Sequence, residues 1–181
     1  MDHIHVSVCW NSIGRLSRYG ADQFWYQERA AGALESLAEH TMDMIADAQS
    51  RLRARELATI AHGAAKSGRH DPIMGALMAA LARAIERRVN DCNARELANI
   101  AWGFAKAGHL DTPLFAVLAT AAEQHFGNFN AQELTNFTWA FATAGHADAA
   151  FQLDALLEHL AVDVGQPGHL GEAQRLHLGS Y

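Results

Sequence analysis

Arg95, Asn99, Gly103 and Lys106 stand at i, i+4, i+8 and i+11 in the stretch ARELANIAWGFAKAGHLD, residues 94–111. On a helix this spacing reads as one face. Two cations, an amide and a residue without bulk suit one kind of chemistry. The cations can neutralise phosphate oxygens, and the amide can offer a donor and an acceptor to a base edge. The line recurs as Arg55, Thr59, Gly63 and Lys66, and again as Gln132, Asn136, Ala140 and Thr143. A looser copy near the start reads Ser7, Asn11, Arg15 and Arg18. These sixteen positions hold six Arg or Lys and no Asp or Glu, although the whole chain has 20 acids and 14 bases. Arg15, Arg18, Arg55, Lys66, Arg95 and Lys106 are the candidate phosphate holders. Asn11, Thr59, Asn99, Gln132, Asn136 and Thr143 are the candidate polar contacts.

Other chemistry finds little footing. Eleven histidines invite a metal, but no HExxH or HxxxH spacing occurs. His109 and His146 recur at the same corner of successive repeats. One His per repeat cannot close a site whose ligands sit about 2 Å from the metal. Near a helix C-terminus a His suits the helix dipole instead. No GxxxxGK[ST] or GxGxxG is present. Cys9 and Cys92 are far apart and form no CxxC pair, so neither a disulfide framework nor a zinc ribbon is expected. The reading is a non-catalytic chain with no metal, cofactor or small-molecule substrate.

The line is carried by a repeated phrase. Gly68, Gly108 and Gly145 close three copies at intervals of 40 and 37 residues, a period that marks a stacked-repeat architecture. The first helix of each unit, helix A, opens on a capping box, Asn93-Ala-Arg-Glu96 or Asn130-Ala-Gln-Glu133. It ends at the glycine, where a positive φ is expected. Asp71-Pro72 and Asp111-Thr-Pro113 then start the second helix, helix B, with a cap and a proline in the first turn. Ala and Leu dominate and proline is rare, which favours helix. The expected fold is all-α, a right-handed α-solenoid of helix–turn–helix repeats of about 37–40 residues. Its units are a divergent first repeat with an insertion over 6–53, then repeats over 54–93, 94–130 and 131–168. The start of a truncated repeat follows over 169–181, where Gln174–Leu176 align with Gln132–Leu134.

Apart from the polar line, helix A is apolar nearly all round, through Leu97, Ala98, Ile100, Ala101, Trp102, Phe104 and Ala105. Such a helix is buried on several sides. Trp102 and Trp139 are therefore expected to be packing anchors. Stacking would join the lines of successive helices A into a basic ribbon, relieved of bulk at Gly63, Gly103 and Ala140. The net charge is −6, and the acids gather on helices B, as at Glu35, Glu39, Asp43, Asp47, Glu123, Asp154 and Glu158. The pattern alone fits either a nucleic-acid surface or a protein-binding scaffold. No apolar run reaches membrane-spanning length, and no secretory or transit signal is visible, so an intracellular protein is expected.

The strings QELTNFTWAFATAGH and RELANIAWGFAKAGHLDTPLF resemble the helical repeats of the octotricopeptide-repeat family and the related repeats that precede RAP domains. The likeness covers 54–160 well and 6–53 loosely. It implies single-stranded RNA as the partner, in RNA processing, stability or translation in a chloroplast or mitochondrion. A more distant likeness, in WNSIGRLSRYG at 10–20, is to the repeats of certain bacterial type III effectors. That likeness implies a protein–protein scaffold. His62 stands in place of the repeat's Trp, Thr143 in place of its Lys, and no RAP domain follows.

Overall fold

The computed structural model describes residues 2–16, 28–47 and 52–145. These lie in a compact unit spanning 1–145, while 146–181 forms a second unit outside the described residues. Arg18, His146, the last helix B with Asp154 and Glu158, and the repeat start at 169–181 therefore fall outside them. The described residues are all-helical, with no strand. The α-helices are α1 (His3–Leu16), α2 (Glu28–Ala46), α3 (Ala54–Lys66), α4 (Pro72–Glu86), α5 (Ala94–Lys106), α6 (Thr112–His125) and α7 (Ala131–Thr143).

The punctuation expected from the sequence sets the helix ends. Asn93 Oδ1 accepts from Glu96 N at 3.0 Å, and Glu96 Oε2 accepts from Asn93 N at 3.0 Å. Asn130 and Glu133 make the same pair at 2.9 and 3.1 Å. In α3 only half of the box forms: Arg53 N–H donates to Glu56 Oε2 at 3.0 Å, and the guanidinium has no acceptor with which to return the bond. Gly68, Gly108 and Gly145 turn the chain out of α3, α5 and α7 at φ of 71°, 69° and 73°, a region where a Cβ would be strained. Asp71 Oδ1 then accepts from Met74 N at 3.1 Å to start α4, and Asp111 Oδ1 accepts from Leu114 N at 3.0 Å to start α6.

The helices form two rows. In the A row, α1 packs on α3, α3 on α5, and α5 on α7; in the B row, α2 packs on α4 and α4 on α6. Between the rows lies a core of Leu57, Ile60, Leu77, Leu81, Leu97, Ile100, Phe104, Leu114 and Phe115, each 1% exposed or less. The last part is aromatic, with Phe141 ringed by Phe115 and Phe137 at centroid distances of 5.1 and 4.6 Å.

The A row is the tighter one, and two glycines make it so. A Cβ on Gly63 would lie 2.3 Å from the Trp10 carbonyl oxygen, and one on Gly103 would lie 3.1 Å from that of Ala61. Gly63, Gly103 and Ala140 are buried. They do not relieve an exposed ribbon of bulk, as the spacing had suggested. Gly63 and Gly103 are the points where neighbouring helices A come closest.

Trp10 fixes the front end. Fully buried, it donates from Nε1 to Thr41 Oγ1 at 3.0 Å, which ties α1 to α2. On its other side its backbone lies against Gly63, so α1 is held from both directions.

Cys92 sits buried in the turn before α5. Burial, then the nearby carboxylates of Glu96 and Asp91, pushes its thiol up to about 12 from the ordinary 9.0. The native state thus holds the thiol proton more tightly than the unfolded chain does. The stabilisation is complete below pH 9 and declines as pH rises toward about 12. The expected result is that iodoacetamide at pH 8 leaves Cys92 unmodified until the protein is unfolded, as read by peptide mass mapping. Cys92→Ala is expected to flatten the alkaline fall in thermal stability.

Candidate functional site

The outward face of the A row is built from four positions per helix. In α5 these are Arg95, Asn99, Trp102 and Lys106, which are exposed, half-buried, half-buried and exposed. Gly103, expected in this line, is turned into the α3 contact. At 3.6 residues per turn, position 102 returns to within about 20° of 95 and about 40° of 106, while 103 falls about 80° from 95 and about 60° from 106. Trp102 therefore belongs to the strip, which spans about 60° of the helix, and Gly103 lies outside it.

In α3 the four are Arg55, Thr59, His62 and Lys66, and in α7 they are Gln132, Asn136, Trp139 and Thr143. Thr59, His62, Lys66 and Asn136 are half-buried, and the other four are exposed. Thr59 Oγ1 donates to its own helix at Arg55 O, 2.8 Å away, and Gln132 Nε2 donates to Asn136 Oδ1 at 3.5 Å.

The front helix is offset from the sequence alignment. Trp10 lies against Gly63 as Ala61 lies against Gly103, so α1 is shifted three residues from the register that paired Asn11 with Asn99. Its four positions become Ile4, Val8, Asn11 and Arg15, all exposed. Ser7, which the alignment had placed in the line, is buried and donates from Oγ to Ile4 O at 2.9 Å. Asn11 and Arg15 stay on the face, and Ile4 and Val8 add apolar surface at 56% and 55% exposure.

Read across the helices, the face has ordered rows. One row holds Arg55, Arg95 and Gln132 with Ile4. The next holds Val8, Thr59, Asn99 and Asn136. The third holds Asn11, His62, Trp102 and Trp139. The last holds Arg15, Lys66, Lys106 and Thr143.

The third row is continuous. His62 and Trp102 ring centroids are 4.9 Å apart, and those of Trp102 and Trp139 are 6.4 Å apart. Lys66 Nζ lies 5.8 Å from the Trp102 centroid, within cation–π range. Trp139 is 44% exposed. The expectation that both tryptophans are packing anchors is therefore corrected for Trp139, while Trp102 is half-buried between its neighbours. Core packing falls to Phe104, Phe137 and Phe141, each 1% exposed or less. The signal was present in the sequence as the i+7 step from Arg95 and Gln132.

Beside the ring row lies a trough of about 690 Å3 across α1, α3 and α5. Its walls include Ile4, Val8, Asn11, Arg55, Thr59, His62, Arg95 and Asn99. Glu56 and Glu96 also reach it, each tied to the backbone N–H of its own capping box. In the B row, Glu35, Glu39 and Asp43 are exposed on α2 and Asp47 just past its end, while Arg83 and Arg87 are exposed on and just past α4. Among the described residues, no three His, Cys, Asp or Glu gather as a metal site. No described helix is long and apolar enough to cross a membrane. No protein-family model matches the chain, and neither does any curated protein.

Proposed function

We propose that this chain binds single-stranded RNA on the face of its A helices, without catalysis, as a right-handed α-solenoid of the octotricopeptide-repeat kind. One observation carries the reading: the His62–Trp102–Trp139 row lies between polar side chains on one side and Lys66 and Lys106 on the other. Aromatic faces that stack bases, set beside cations that neutralise phosphates, are the two parts of a single-strand binding surface. Double-stranded RNA would present its backbone and hide its base faces, leaving the rings without a partner. The resemblance of the repeats supports the same partner and implies an organellar setting.

A direct test uses the rings as reporters. Base stacking is expected to quench tryptophan fluorescence when a short single-stranded RNA is titrated in. Trp10 is fully buried and is expected to respond little, while Trp102→Phe with Trp139→Phe, made in a Trp25→Phe background, is expected to remove most of the quench. A folded protein whose fluorescence does not respond to RNA at low salt would count against the proposal.

A second reading has its own observation. Ile4 and Val8 leave the front of the face apolar, as suits a protein-binding scaffold. A scaffold would keep its partner when Lys106 and Arg95 are reversed in charge, whereas RNA binding would be lost.

A further inference from the structure

We infer that a bound strand lies in one orientation, with its phosphates along Arg15, Lys66 and Lys106 and its base edges pointing toward the N-termini of the A helices. Arg55 and Arg95 then read bases and do not hold phosphates. This rests on the RNA-binding reading above and deepens it.

The order of the rows sets the orientation. With a rise of 1.5 Å per residue, Trp102 lies about 6 Å along α5 from Lys106, and Asn99 about 4.5 Å further. Phosphate, then ring, then edge group is the order in which a nucleotide presents its own parts. A phosphate at Lys106 places the base over Trp102 and its edge at Asn99. Arg95 lies about 6 Å beyond Asn99, past the edge and on the side of the trough.

Charge argues the same way. The trough is lined by Arg55 and Arg95 but also by Glu56 and Glu96, whose carboxylates are fixed by backbone hydrogen bonds. A phosphate there would meet two held anions. Those carboxylates also sit at the positive ends of α3 and α5, where an anion would otherwise be favoured. Lys66, Lys106 and Arg15 do not line the trough; they stand one helical turn beyond His62, Trp102 and Asn11. An arginine beside the base edges is suited to a bidentate contact with guanine O6 and N7, so guanosine is the expected preference next to Arg55 and Arg95.

The test compares Lys106→Gln with Arg95→Gln, both exposed in the parent. The probes are uridine pentamers and the same pentamers carrying one guanosine at each position in turn, titrated across a salt series. Lys106→Gln is expected to weaken all pentamers alike and to make the log–log salt slope shallower by about 0.7. Arg95→Gln is expected to keep the slope and to lose about tenfold in affinity for its preferred guanosine pentamer. If Arg95→Gln flattens the slope as much as Lys106→Gln and treats all pentamers alike, the orientation is wrong while RNA binding stands. If the parent protein binds no pentamer at low salt, both readings fall.

Discussion

Gly63→Ala is expected to melt well below the parent protein. Alanine gains about 1 kcal/mol over glycine inside a helix, so the bare propensity argument gives the opposite sign. The added Cβ would lie 2.3 Å from the Trp10 carbonyl oxygen and 2.5 Å from its carbon. Both are backbone atoms, and Trp10 is anchored to Thr41 behind. The front helix must move bodily, which opens the contact along its length. Overpacking of this kind costs about 1–3 kcal/mol and sometimes more. With backbone atoms on the other side the clash falls at the upper end of that range. Less the propensity gain of about 1 kcal/mol, it leaves a net loss of about 2 kcal/mol, or roughly 4–8 °C in Tm for a chain of this size. Gly103→Ala is the internal control. Its Cβ meets the Ala61 carbonyl at 3.1 Å, where a small shift suffices, so its Tm is expected to stay within about 2 °C of the parent. Equal effects at the two sites, read by circular dichroism, would show that α1 does not close on α3 as described.

Replacing Trp102 and Trp139 together by Leu is expected to weaken single-stranded RNA by about 2–4 kcal/mol, or roughly 30- to 1,000-fold in Kd. Leucine keeps much of the apolar volume and removes the stacking face. Trp102→Phe with Trp139→Phe is expected to retain most of the affinity, because the face remains. Neither pair removes a charge, so the salt slope is expected to be unchanged in both. That separates the rings from the cations beside them. Trp139→Leu alone is the cleanest single change, since that ring is 44% exposed and carries little of the core. If the double Leu protein is folded and binds as tightly as the parent, the ring row is surface paving and nothing more.

Much of the fold was legible because punctuation was explicit. The capping boxes at Asn93 and Asn130, the positive-φ glycines and the Asp caps of α4 and α6 all lie where the residue types put them. Pairing of neighbouring helices A was not written in any single helix. It shows only when the Gly63 and Gly103 contacts are seen, because a buried glycine and an exposed one look alike in a string. The same ambiguity misplaced the candidate line. The spacing i, i+4, i+8, i+11 puts position 103 in the line, and the apolar surround of the helix assigns Trp102 to the core. Angular position decides the matter: position 102 faces outward and 103 faces α3. Arg55, Thr59, Lys66, Arg95, Asn99, Lys106, Gln132, Asn136 and Thr143 do share the outward face. Asn11 and Arg15 share it too, in a register three residues away from the alignment, because Trp10 sets the packing of α1.

The segregation of charge explains how an acidic chain can present a cationic surface. The acids of α2 line the B side. On the A side Glu56 and Glu96 are committed to backbone N–H groups. A net charge of −6 therefore predicts slow, weakly steered encounter with a polyanion at a distance, with attraction confined to the A face at close range.

The most direct test is fluorescence anisotropy of a pool of short random single-stranded RNAs over a salt series, beside the Lys106→Glu, Arg95→Glu double variant. The account predicts binding at low salt that weakens steadily as salt rises, and no binding by the double variant at any salt. A folded, helical parent protein that leaves the RNA unbound at the lowest salt would contradict it, and the A face would then be sought as a surface for a protein.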